Sequence, residues 1–172
     1  QCERDVDCLG TSEDDVIQGT SGKDVIKAGA GDVIVCGLGG DDIISGGLGN
    51  DVITGSTAVN NLAGKGGNDT LDGGSGNDVL RPGLGTDTVT GNSGTDVADY
   101  SDRSSGVTLT LDGVANDGAA GENDQLTTTV EGLTGSGGND TLTGNSSANT
   151  INGGTGDDLL NQTGKIVPLS KT

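Results

Sequence analysis

The stretch Gly46-Gly47-Leu48-Gly49-Asn50-Asp51-Val52-Ile53-Thr54 carries the plan of the chain. Six residues suited to a turn precede three that favour a strand. Stepping outward by nine residues, the same phase holds from Gly10 to Asp99. An aspartate column reads Asp15, Asp24, Val33, Asp42, Asp51, Asn60, Asp69, Asp78, Asp87 and Asp96. Two positions later a second column reads Ile17, Ile26, Val35, Ile44, Ile53, Leu62, Leu71, Leu80, Val89 and Ala98, apolar throughout. Side chains alternate along a strand, so Ile53 should point inward while Val52 and Thr54 face out. Two units then form one flattened coil with a strand on each side. A flexible glycine-rich linker would show no such phase.

The phase breaks between Tyr100 and Val130 and then resumes. Leu133, Leu142, Ile151 and Leu160 continue the apolar column, with Glu131, Asp140, Asn149 and Asp158 in the aspartate position. Five segments follow: an N-terminal segment at 1–9, a first array at 10–99, a hairpin or loop insert at 100–130, a second array at 131–161, and a C-terminal strand or tail at 162–172. Within the insert, Val107-Thr108-Leu109-Thr110-Leu111 alternates like a strand and ends at the turn signal Asp112-Gly113. The expectation is an insert that bulges out to cover one side of the roll, with Tyr100 packed over an edge.

Composition explains why such a chain needs help to fold. Among 172 residues there are 35 glycines, one tyrosine, and no Phe, Trp, Met or His. Leu, Ile and Val together number 37, too few for a large conventional core to offset the entropy of ordering the chain. The net charge is −18. A surface this acidic repels nucleic acid phosphate and anionic lipid and attracts cations. No apolar run is long enough for membrane insertion, and no signal-peptide core is visible. The start at Gln1 is expected to reflect a processed form or a fragment. Cys2, Cys8 and Cys36 allow at most one intrachain disulfide and leave one thiol over. Closeness in sequence favours Cys2 with Cys8, the other pairings staying open.

The unit Gly-Gly-x-Gly-x-Asp-x-apolar-x, matched in full at 46–54, 73–81 and 153–161, resembles the haemolysin-type, or RTX, nonapeptide repeat of secreted bacterial proteins. The resemblance implies an all-β fold: a right-handed parallel β-roll, a calcium-stabilised β-solenoid in two arrays separated by the insert. It also implies an extracellular setting.

Calcium takes six to eight oxygen ligands, which carboxylates and carbonyls of turns two units apart can supply. The candidate metal ligands are therefore Asp15, Asp24, Asp42, Asp51, Asp69, Asp78, Asp87, Asp96, Asp140 and Asp158. An eighteen-residue pairing rule gives about five strong Ca2+ sites: Asp51/Asp69, Asp69/Asp87, Asp24/Asp42, Asp78/Asp96 and Asp140/Asp158. Val33 and Asn60 weaken the sites beside them, and Asp32, one position early, should aim its side chain elsewhere. Metal binding and folding should be coupled.

The expected function is an extracellular calcium-binding structural protein that folds on calcium. Its phase runs almost to both ends, which suggests a homo-polymer joined through the solenoid ends, as in a filament, surface layer or matrix. The alternative is a calcium-dependent folding or secretion module of a larger secreted protein or enzyme. Ice binding or an adhesin role, a further use the resemblance allows, ranks lower because the turn column Ser21, Ala30, Gly39, Leu48, Thr57 is irregular. An enzyme is not expected: there is no histidine, and Cys36 has no base to activate it.

Overall fold

The computed structural model describes residues 8–162, and every regular element among them is a strand. No helix long and apolar enough to cross a membrane occurs there. The repeat folds as stacks of parallel strands on two faces, the β-roll that the eighteen-residue coil predicts. Along one face lie β1 (Cys8–Leu9), β3 (Val25–Ala30), β5 (Ile43–Leu48), β7 (Asn61–Gly66), β9 (Val79–Leu84), β11 (Val97–Asp99), β15 (Gly132–Thr134) and β17 (Thr150–Asn152), in that spatial order. The other face carries β2 (Val16–Gln18), β4 (Ile34–Cys36), β6 (Val52–Thr57), β8 (Thr70–Ser75) and β10 (Thr88–Ser93). Register follows the eighteen-residue rule: Ile26 pairs with Ile44, Ile44 with Leu62, and Ile53 with Leu71.

The apolar column is the core. Ile44, Ile53, Leu62, Leu71, Leu80, Val89 and Ala98 are each at most 1% exposed. Their neighbours face out as alternation requires, with Val52 45% and Ile34 53% exposed. The strands are longer than the three residues expected, however. From β5 to β10 each spans six, because pairing continues through the glycines into the turn, as at Gly29↔Gly47 and Lys65↔Gly83.

The insert does not bulge out. Between β11 and β15, where the regular roll has one strand, it forms three: β12 (Thr108–Thr110), β13 (Ala115–Asp117) and β14 (Asp124–Leu126), the last two joining the sheet of β10 and β12 opening a three-stranded sheet. β14 lies parallel to β10, with Val89 opposite Leu126. β13 is antiparallel to β14 and bridges back to Thr108 through Gly118. β12 then starts a parallel run with β16 (Thr141–Thr143) and β18 (Leu159–Asn161). On the opposite face β11 pairs directly with β15, Ala98 opposite Leu133. Exposed backbone in a protruding loop would leave Leu109, Leu111 and Leu126 in water. Built into the sheet, they are at most 1% exposed.

Tyr100 is likewise not an edge cover. It is 1% exposed, and its hydroxyl donates to Asp124 Oδ2 at 2.8 Å. Arg103 closes over its ring at 5.9 Å and pairs with Glu122 at 2.7 Å.

Cys8 is disulfide-bonded and Cys36 is a free thiol. The expected Cys2 partner and the 162–172 tail beyond Gln162 lie outside the described residues.

Candidate metal centre

Each unit brings its column residue to the end of a turn, just before a strand, and the roll stacks these residues in two rows. The row leading into the β2 face begins Asp15, Val33, Asp51, Asp69, Asp87; the row leading into the β1 face begins Asp24, Asp42, Asn60, Asp78, Asp96. The carboxylates are buried: from Asp24 to Asp96 those of both rows are between 0% and 3% exposed.

One carboxylate oxygen has a fixed task. Oδ1 of Asp42, Asp51, Asp69, Asp78 and Asp96 accepts the backbone N–H of the residue eighteen earlier, at 2.7–2.9 Å. Asp87 does the same toward Asp69 at 2.7 Å, and Asp158 toward Asp140 at 3.1 Å. This ladder places the predicted pairs Asp24/Asp42, Asp51/Asp69, Asp69/Asp87, Asp78/Asp96 and Asp140/Asp158 on adjacent coils.

The other oxygen has none. Oδ2 of Asp42, Asp51, Asp69, Asp78, Asp87, Asp96 and Asp158 is buried without a hydrogen-bond partner. An ionised oxygen held this way is costly unless a cation meets it. Burial pushes Asp42, Asp69, Asp87 and Asp96 up to about 6, the carboxylate on the adjacent coil adding to the rise. Asp51 and Asp78 are raised for the same main reason. A group that titrates near 6 is mostly ionised at neutral pH, so the turns of Asp42, Asp69, Asp87 and Asp96 each hold an unmatched negative oxygen.

The surroundings of Oδ2 suit a hard cation. Among the described residues no group of three His, Cys, Asp or Glu side chains converges, and the oxygens set against Oδ2 are backbone carbonyls. A Cβ built on Gly46 would collide with Asp51 Oδ2 and lie 3.0 Å from the Gly64 carbonyl oxygen. One on Gly37 would collide with Asp42 Oδ2 and sit 2.8 Å from the Gly55 carbonyl. The first glycine of the unit thus keeps open a space bounded by a carboxylate of one turn and a carbonyl of the next coil. Oxygen donors from two turns are what calcium selects.

Three predicted ligands are placed differently. Asp24 Oδ2 accepts the N–H of Thr20 at 2.6 Å, Asp15 Oδ2 that of Thr11 at 2.7 Å, and Asp140 Oδ2 that of Ser136 at 2.7 Å. Val33 and Asn60 interrupt the rows as expected. Asp32 does point elsewhere, accepting the backbone N–H of Asn50 at 2.7 Å.

Sequence reasoning missed two features. Where an Asn or Asp precedes the column position it forms a second ladder of opposite sense, with Oδ1 of Asp14, Asp32, Asn50 and Asn68 accepting the N–H eighteen residues later at 2.7–2.9 Å. The Asn or Asp at that position was the available signal. The insert also supplies a column residue: Asp124 Oδ1 accepts the N–H of Asp87 at 2.9 Å. Glu131 extends the other row through Oε2 to Asp96 N at 2.9 Å.

A family model described as the RTX calcium-binding nonapeptide repeat (4 copies) matches residues 9–32, 37–66, 54–89, 63–98 and 133–161. The chain belongs to the RTX calcium-binding repeat family. The matches skip 99–132, the stretch that leaves the nine-residue phase. No curated protein matches the chain. The RTX assignment and the unmatched Oδ2 oxygens point to the same ion, and the residues that would hold it carry one free carboxylate oxygen per turn.

Proposed function

We propose that this chain is an extracellular calcium-binding structural protein that folds on calcium and associates end to end. One observation carries the calcium part: seven buried Oδ2 atoms have no partner in a chain of net charge −18. Without a cation these stacked charges oppose the fold, and the narrow core is small compensation. With calcium the same oxygens become ligands, so the binding free energy becomes folding free energy. Extracellular calcium modules commonly bind at about 10⁻⁴ to 10⁻³ M, which matches an extracellular setting.

End-to-end association is supported by the sheet order. Among the described residues β1 and β17 end the eight-stranded sheet, β2 ends the seven-stranded sheet and β18 ends the three-stranded one. Unpaired strand edges invite strand addition. A non-catalytic role is supported by the absence of histidine and by the commitment of Oδ1 to a backbone amide in the seven aspartates whose Oδ2 is unpartnered.

Size-exclusion chromatography with light and X-ray scattering tests both parts. Chelator should expand the chain toward the roughly 44 Å radius of gyration of an unfolded polymer of this length. A radius unchanged by chelation sinks calcium-coupled folding. In millimolar calcium a mass that grows with concentration supports end-to-end assembly. A stable monomer overturns that part and favours a folding module of a larger secreted protein.

A further inference from the structure

The nine-residue turns fall into two backbone classes, and the residue four before the column position separates them. In the first class that residue sits at positive φ: Leu38 at 76°, Gly47 at 120°, Lys65 at 91°, Gly74 at 95°, Gly83 at 104°, Asn92 at 70° and Gly154 at 81°. The column residues that follow are the seven aspartates with an unpartnered Oδ2. In the second class the residue is Thr11, Thr20, Ser136 or Asn145, and none of them has positive φ. Its N–H instead turns inward and donates to Asp15, Asp24, Asp140 or Asn149, at 2.6–2.9 Å. The hydroxyls of Thr11, Thr20 and Ser136 donate to the same carboxylates.

Asn60 reveals what an open turn requires. Ser56 lies at φ 85°, so this backbone is of the first class. Here, however, the column atom is an amide nitrogen, and Nδ2 donates to the carbonyls of Ala58 at 3.1 Å and Thr57 at 3.4 Å. Carbonyls two and three residues before the column therefore face that atom. In the seven equivalent turns an anionic oxygen occupies this place, where only a cation can reconcile it with carbonyls.

We infer that ion binding is confined to the open turns, and that the turns of Asp15, Asp24, Asn60, Asp140 and Asn149 are metal-free rungs closed by N–H donors of the chain itself. This rests on the calcium reading above. Asp124 is closed by a third device, the Tyr100 hydroxyl at 2.8 Å. The metal-free rungs stand at the start of each array, ahead of Asp42 in the first and of Asp158 in the second. Asn60 interrupts the long loaded stretch between Asp42 and Asp96.

Native mass spectrometry of the full chain in calcium counts the ions directly. Asn60→Asp should gain one ion, since it restores an anionic oxygen among the same carbonyls. Asp24→Asn should leave the count unchanged, whereas Asp78→Asn should lose at least one. Thr20→Gly removes the closing hydroxyl and permits positive φ, and should gain one; it serves if Asn60→Asp does not fold by circular dichroism. An ion lost from Asp24→Asn, or no gain in either added site, overturns the assignment while leaving calcium binding intact. A wild-type chain that binds no calcium overturns both readings.

Discussion

At Gly64 a single hydrogen holds a site open. A Cβ there would run into Asp69 Oδ2 and the Pro82 carbonyl oxygen. The carbonyl belongs to the backbone of β9, which is held in register against β7 along this stretch, so it cannot swing aside as a long side chain would. Overpacking of this kind costs about 1–3 kcal/mol, and here it also fills the space a ligand set needs. Gly64→Ala should therefore lower the melting temperature in calcium and weaken calcium binding. Gly22 is the control: its added Cβ would come no closer than 3.9 Å to any atom outside its neighbours. Gly22→Ala should be neutral or slightly stabilising through the unfolded chain. Equal melting curves for the two variants would remove the steric argument. The column aspartates themselves were legible, since a fixed nine-residue phase names them. Which of their oxygens is free was not. That depends on backbone φ four residues earlier, and Leu38 at 76° and Lys65 at 91° hold a conformation that bulky residues seldom adopt.

The insert makes its own local economy of charge. Asp117 is 2% and Asp124 0% exposed, and burial raises both to about 7. Each is nevertheless fully bonded: Asp117 accepts the N–H of Thr110 at 2.5 Å and of Leu126 at 3.1 Å, while Asp124 accepts from Asp87 and Tyr100. Tyr100→Phe keeps the ring and removes one donor, leaving a buried carboxylate oxygen unmatched at a cost of about 1–3 kcal/mol. The variant should melt earlier in calcium, with its core otherwise intact. A melting temperature equal to wild type would show that the hydroxyl contributes nothing to the insert. The repeat strands were legible from periodicity and β12 from the alternation of Val107 to Leu111, but β13 and β14 were not. Asp124-Gln125-Leu126 keeps the Asp-x-apolar spacing, yet Leu126 pairs with Val89, 37 residues away rather than eighteen. No period relates them, and an antiparallel meander inside a parallel face leaves no sequence rhythm to follow.

Over the whole molecule, protons and calcium compete for the same buried oxygens. Asp42, Asp69, Asp87 and Asp96 titrate near 6 in the fold, and Asp117 and Asp124 near 7, against 3.8 for an ordinary aspartate. Between those values the folded chain holds protons that the unfolded chain has released. Metal-free stability is thus fully present below about pH 4 and is lost as pH rises through the folded values. The net charge of −18 acts in the same direction, because protonation relieves repulsion along both rows. Calcium binding has the opposite dependence: its ligands must be ionised, so affinity falls as pH drops through about 6. In chelator, the radius of gyration should be smaller at about pH 5 than at about pH 7.5, where the rows are fully charged. In calcium the chain should be compact at the higher pH, with the ions leaving as acid is added. A chelated chain at least as expanded in mild acid as at neutral pH would mean that the buried carboxylates are not what holds the metal-free chain open. The ladders of backbone hydrogen bonds to Oδ1 and to the preceding Asn and Asp residues would then have to be weaker than their geometry indicates.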